Sequence, residues 1–161
     1  MPGPNAPLTL PSLERAISMS QALVRTSMDT KLIVRHPAPM GALLFLISTP
    51  IHLFLSQETS IAVSAITLSL IGGAYIGFGA RSENLNAMAL ELFVAFLFGV
   101  TALAGLLWHW SAIPVGLVAH AIWDLMHHNS SFGAKVPKWY IPLCVVYDLA
   151  AALFLAVIYV I

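Results

Sequence analysis

Six ionisable side chains fall inside or at the end of long apolar stretches: Glu91, His120, Asp124, His127, His128 and Asp148. An ionised group at the centre of a bilayer costs about 2.5–3.5 kcal/mol even on lenient scales, so such residues usually serve a purpose. Their spacing narrows that purpose. A helix advances 100° per residue, so His120, Asp124 and His127 are expected within about 60° of one another on one face. Asp124 with His127 is a carboxylate-x-x-His pair, and Asp124 with His128 is an i, i+4 pair; neighbouring turns bring such side chains together. Carboxylate-x-x-His on bundle helices is also the device of ferritin-like di-metal sites. Glu91 and Asp148 would complete an oxygen–nitrogen ligand set, which suits zinc, iron or manganese better than copper(I). The expected metal ligands are therefore His120, Asp124, His127, His128 and Asp148. Glu91 and Asp124 are the expected catalytic groups, Glu91 as a general base or further ligand. The same residues also suit a plainer role as buried hydrogen-bonded pairs, or as helix-end histidines facing the negative dipole end.

The elements that must carry these groups are apolar. Of 161 residues, 59% are hydrophobic and only 9% are Asp, Glu, Lys or Arg, too few to coat a water-soluble domain. Seven basic and seven acidic residues give no net charge, which argues against a nucleic-acid partner. The single cysteine, Cys144, excludes an internal disulfide framework. A bilayer core about 30 Å thick takes roughly 20 helical residues. Five segments approach that length: residues 40–56, 61–80, 87–110, 113–128 and 139–161. The fourth is short and polar enough to leave its crossing open. The runs are continuously apolar rather than alternating, which excludes membrane strands. The expected fold is all-α, a polytopic bundle of about five transmembrane helices filling residues 37–161.

With five crossings, Arg15, Arg25, Lys31, Arg35, Arg81, Lys135 and Lys138 all fall on one side, as the positive-inside rule expects. The N-terminus is then cytoplasmic and the C-terminus outside, as for a multi-pass protein of a bacterial inner membrane. At 1.5 Å per residue, Glu91, His120, Asp124 and Asp148 fall at similar heights in the cytoplasmic half. Residues 1–36 read differently. Pro2, Pro4, Pro7 and Pro11 keep the start extended. From Ser12, a stripe of Leu13, Ile17, Val24 and Met28 predicts an amphipathic helix lying on the membrane surface. Small residues at Ala65, Ser69, Gly73 and Gly77, and at Ala87, Ala95 and Gly99, predict close helix packing. His52 and His109, at the other end of the spans, are a weaker pair with the residue type for haem ligation.

The stretch from His120 to His128, followed by Gly133, Val136-Pro137, Cys144 and Asp148, resembles an uncharacterised family of small bacterial integral membrane proteins with the pattern His-x-x-Trp-Asp-x-x-His-His. The resemblance covers roughly the last 45 residues and implies that these groups act as one unit. More distantly, Asp124-x-x-His127-His128 is similar to one histidine box of the membrane fatty-acid hydroxylases and desaturases, which hold two irons; the other boxes are missing. The chain is also faintly similar to the alkaline ceramidases, but lacks their His-x-x-x-His. Three functions are therefore expected to compete. One is a metal-dependent hydrolase or oxygenase acting on a lipid or isoprenoid substrate. The others are a proton or metal-ion transporter, and a non-catalytic subunit of a membrane complex. Membrane lipids are the expected surroundings, with a homo-oligomer or a membrane-complex partner in the last two cases.

Overall fold

A computed structural model describes Glu14, Arg15, Ser18, Met19 and residues 31–130 and 132–160. The chain divides into two compact units, Met1–Arg35 and His36–Ile161. In the first unit, residues 31–35 are helical, as are the four described positions before them. The stripe residues Leu13, Ile17, Val24 and Met28 of the expected surface helix lie outside the described residues.

The second unit is all-helical. It contains α1 (Pro37–Phe54), α2 (Gln57–Ala80), α3 (Leu85–Leu107), α4 (Ala112–Met126) and α5 (Tyr140–Val160), with a short 3₁₀ turn at His128–Ser130. The start signals are local. Pro37 opens α1 at a position where a missing N–H costs nothing. The Ser56 side chain accepts from Thr59 N–H at the start of α2. Asn84 Oδ1 accepts from the N–H groups of Asn86 and Ala87 and so opens α3. Four of these helices, α1, α2, α3 and α5, are long and apolar enough to cross a membrane. The fourth segment is short, as its sequence indicates, and ends two residues before the expected bound. Helix α4 has 15 residues and rises only about 22 Å. It stops at Met126, and Asn129 and Gly133 take positive φ as the chain turns back. Ala134 and Val136 in this returning segment are buried, so it packs into the bundle instead of passing over it.

The bundle is apolar outside and polar within. Leu46, Leu70, Phe93, Phe96, Val115, Leu153 and Val157 are exposed, while Glu91, His120, Asp124, His127 and Asp148 are completely buried. Water would not tolerate the first set and oil would not tolerate the second unpaired, so the pattern belongs to a helix bundle in lipid. Helix α2 packs on α3, α4 on α5, and α5 on α1, with a smaller contact between α3 and α4. Close approach is set by glycines, but not those on the expected stripe. Added Cβ atoms at Gly73, Gly77 and Gly99 would meet nothing within 4 Å. The packed face of α2 is one residue out of step: Ala65, Leu68, Gly72, Tyr75 and Gly79. Gly72 lies against Phe98, and Gly41 of α1 against the backbone of Leu143, where an added Cβ would sit 2.2 Å from the carbonyl oxygen.

This contrast gives a stability test. Gly41→Ala must push α1 off α5 and is expected to cost about 1–3 kcal/mol, the range for overpacking. Gly77→Ala is expected to leave stability unchanged or slightly raised. Thermal unfolding of both variants in detergent micelles measures the difference.

Candidate metal centre

Three helices converge on one polar cluster. His120 and Asp124 lie one turn apart on the buried face of α4, and Asp148 lies on the facing side of α5. His120 Nδ1 stands 2.8 Å from Asp148 Oδ2 and 3.8 Å from Asp124 Oδ2. One ligand atom from each of the three residues lies within 4.8 Å of the others, and all three side chains are fully buried. Helix α2 adds Tyr75, also fully buried, whose hydroxyl donates to Asp124 Oδ1. The Tyr75 ring packs on those of His120, Trp123, His127 and Tyr140.

Two carboxylate oxygens of the cluster remain without a hydrogen-bond partner: Asp124 Oδ2 and Asp148 Oδ1. Buried acceptors of this kind are costly to leave bare. No lysine or arginine is in ion-pair contact with either carboxylate among the described residues. Two carboxylates around one imidazole therefore need additional positive charge, as protons or as a cation.

The donor set fits a divalent cation. Tetrahedral ligands at about 2.1 Å from one ion stand about 3.4 Å from one another. A separation of up to 4.8 Å must therefore close by at most about 1.4 Å, a side-chain rotation, when an ion binds. A cation between these atoms would take the place of the proton on His120 Nδ1.

Glu91 and His127 form a second pair beside the first. Glu91 Oε1 accepts from Ala134 N–H at 2.8 Å and lies 2.9 Å from His127 Nε2, while Glu91 Oε2 has no partner. His127 Nδ1 lies 2.9 Å from the Trp123 carbonyl, which can only accept, so this nitrogen carries a proton. One further proton is then shared between His127 Nε2 and Glu91. The pair touches the cluster through Tyr75, whose ring centroid is 4.9 Å from that of His127 and 5.7 Å from that of His120.

The expected ligand set is thereby divided. His120, Asp124 and Asp148 come together. His127 does not join them, because α4 ends at Met126 and His127, as the cap, turns toward Glu91 instead of continuing the Asp124 face. His128 lies one residue further on and is exposed. Its place as a ligand rested on a helix continuing through residue 128, which the turn at His127 prevents. Of the weaker pair, His52 Nδ1 bonds Ser60 Oγ at 2.8 Å, and His109 Nδ1 bonds Ser111 Oγ at 2.7 Å. Tyr75 was absent from the expected site. Its signal was a tyrosine in mid-span, since a buried phenol needs a partner. The Ala134 N–H contact had no side-chain signal at all.

The matched family model is a family of unknown function, DUF6010, and it covers residues 36–159. The chain belongs to this family. The matched residues hold the five helices, all but the last residue of α5, and every group of the cluster and of the Glu91–His127 pair, so the site lies wholly within the family region. No curated protein and no solved structure matches the chain.

Removing the Tyr75 hydroxyl leaves Asp124 Oδ1 without its donor in a site closed to water. Tyr75→Phe is expected to destabilise the protein by about 1–3 kcal/mol while leaving helix content unchanged. Circular dichroism for the helices and thermal unfolding for the stability check both parts.

Proposed function

We propose that the chain is an intramembrane metal-dependent enzyme acting on a lipid or isoprenoid substrate. The observation that carries this reading is the convergence of His120, Asp124 and Asp148, fully buried, with unpartnered carboxylate oxygens and no lysine or arginine among the described residues to neutralise them. His120, Asp124 and Asp148 would hold a divalent cation, which would supply Lewis acidity there. Tyr75 fixes the orientation of Asp124 through its hydroxyl. Glu91 and His127 share a proton at Glu91 Oε1 and stand ready to accept or return one, the role of a general acid–base pair. One imidazole with two carboxylates differs from the multi-histidine boxes of membrane oxygenases and favours hydrolytic chemistry.

The transport reading needs a polar path through the bundle. A second polar group exists at the far end, where Ser60 bonds His52 and accepts from the Tyr159 hydroxyl. Between the two groups along the helices lie Ala65, Leu68, Ile113, Leu117, Ala152 and Leu155, and beside them Ser64 and Thr67, whose hydroxyls donate to the backbone of their own helix. That core supports a one-sided site, near the end where Arg81 and Lys135 lie, over a through-path.

For orientation, the same reading places Arg81, Lys135 and Lys138 on the cytoplasmic face of a bacterial inner membrane. In a Cys144→Ala background, Lys135→Cys is expected to react with a membrane-impermeant maleimide in inverted vesicles and not in intact spheroplasts. The opposite pattern reverses the topology.

Metal analysis tests the central claim. Protein purified without chelators is expected to hold about one divalent ion per chain by elemental mass spectrometry. Loss of even an outer-shell partner usually weakens a metal site about 10–100-fold. Asp124→Asn and Asp148→Asn are therefore expected to lose the ion, and His128→Gln to keep it. A wild-type chain free of metal after reconstitution with zinc, iron or manganese overturns the proposal.

A further inference from the structure

At the end of the bundle nearest the buried groups, a cavity of about 650 Å³ opens between the α2–α3 turn and the segment that follows α4. Its lining includes Arg81, Ser82 and Glu83 from the turn and Gly133 and Lys135 from the returning segment, with Phe78 below. Arg81, Glu83 and Lys135 are exposed, and among the described residues none of the three forms an ion pair. Two cations and one anion face the same space without neutralising one another. The lining thus carries one net positive charge, with a guanidinium fork and an ammonium as donors.

The floor of this cavity is thin. Gly133 has φ +62°, and a Cβ there would sit 2.3 Å from His127 Nε2 and 2.5 Å from Glu91 Oε1. A glycine backbone is therefore all that this position places between the cavity and the Glu91–His127 pair. Any side chain would displace the pair or lift the segment away from it. The basic lining thus belongs to the mouth of the buried site and not to an unrelated stretch of interface.

We infer that this cavity binds the phosphodiester headgroup of a membrane lipid, with Arg81 and Lys135 holding the phosphate oxygens. One net positive charge matches a phosphodiester monoanion better than a phosphomonoester dianion, which Glu83 would repel. The cavity lies at the level of the helix ends, where lipid phosphates lie, and the apolar flank of the bundle receives the acyl chains. As a statement of substrate class this rests on the enzyme reading above; as a statement of binding it does not.

The test is titration of the purified full chain in uncharged detergent with dioctanoyl phosphatidylglycerol, followed by thermal shift. Dioctanoylglycerol and inorganic phosphate serve as comparison ligands. The unfolding midpoint is expected to rise with the phospholipid at concentrations where neither comparison ligand acts. The apparent dissociation constant is expected to weaken at least about tenfold in the Arg81→Gln/Lys135→Gln double variant, with little change in Lys138→Gln, a basic residue outside the lining. Both substituted residues are exposed, so an unchanged midpoint without ligand verifies the fold. An equal response to dioctanoylglycerol, or unaltered affinity in the double variant, overturns the inference. A response to inorganic phosphate equal to that of the lipid overturns the lipid assignment. Asp124→Asn separates the two proposals: it is expected to abolish metal content and to leave lipid affinity intact.

Discussion

The contact on which the rest of this structure depends is the one between His120 Nδ1 and Asp148 Oδ2, 2.8 Å long and closed to solvent. It joins α4 to α5 in the middle of an apolar bundle, where an isolated charge is most expensive. Once two carboxylates and an imidazole are committed to that environment, every neighbour must help to hold them. Tyr75 reaches across from α2, Trp123 and Phe98 close the ring edges, and Gly72 lets α2 and α3 approach so that Tyr75 arrives at the right depth. The packing around the cluster follows from its charge.

A second constraint is the early end of α4. A helix continuing through His128 would have kept Asp124 and His127 on one face. The break instead hands His127 to Glu91 and brings Ala134 N–H to the same oxygen. The bundle therefore has two separate polar units, His120–Asp124–Asp148 and Glu91–His127, that both pack on the ring of Tyr75.

Much of this was legible in the sequence. Composition and unbroken apolar runs specify a helical membrane bundle. The pairing of His120, Asp124 and Asp148 was legible because charge in oil is rare enough to mark itself. The assignment of His127 and His128 was not, because the stop at Met126 has no proline or glycine beside it; Asn129 and Gly133, with their positive φ, come later. The packed face of α2 was misjudged by one position because two adjacent glycines, Gly72 and Gly73, offer equally small residues. Only the position of Phe98 on the facing helix distinguishes them. Tyr75 escaped notice because a lone aromatic in a span usually signals packing or an interface.

The shortness of α4 also acts on the surroundings. Val115, Val118, Ile122 and Leu125 form its outward surface, an apolar strip about 22 Å tall beside neighbours that rise 30 Å or more. Lipids along that flank must compress or tilt to match it, at a cost of fractions of a kcal/mol per ångström of mismatch. A bilayer around this bundle therefore meets a shorter apolar wall at the flank closest to the buried charges than at the others.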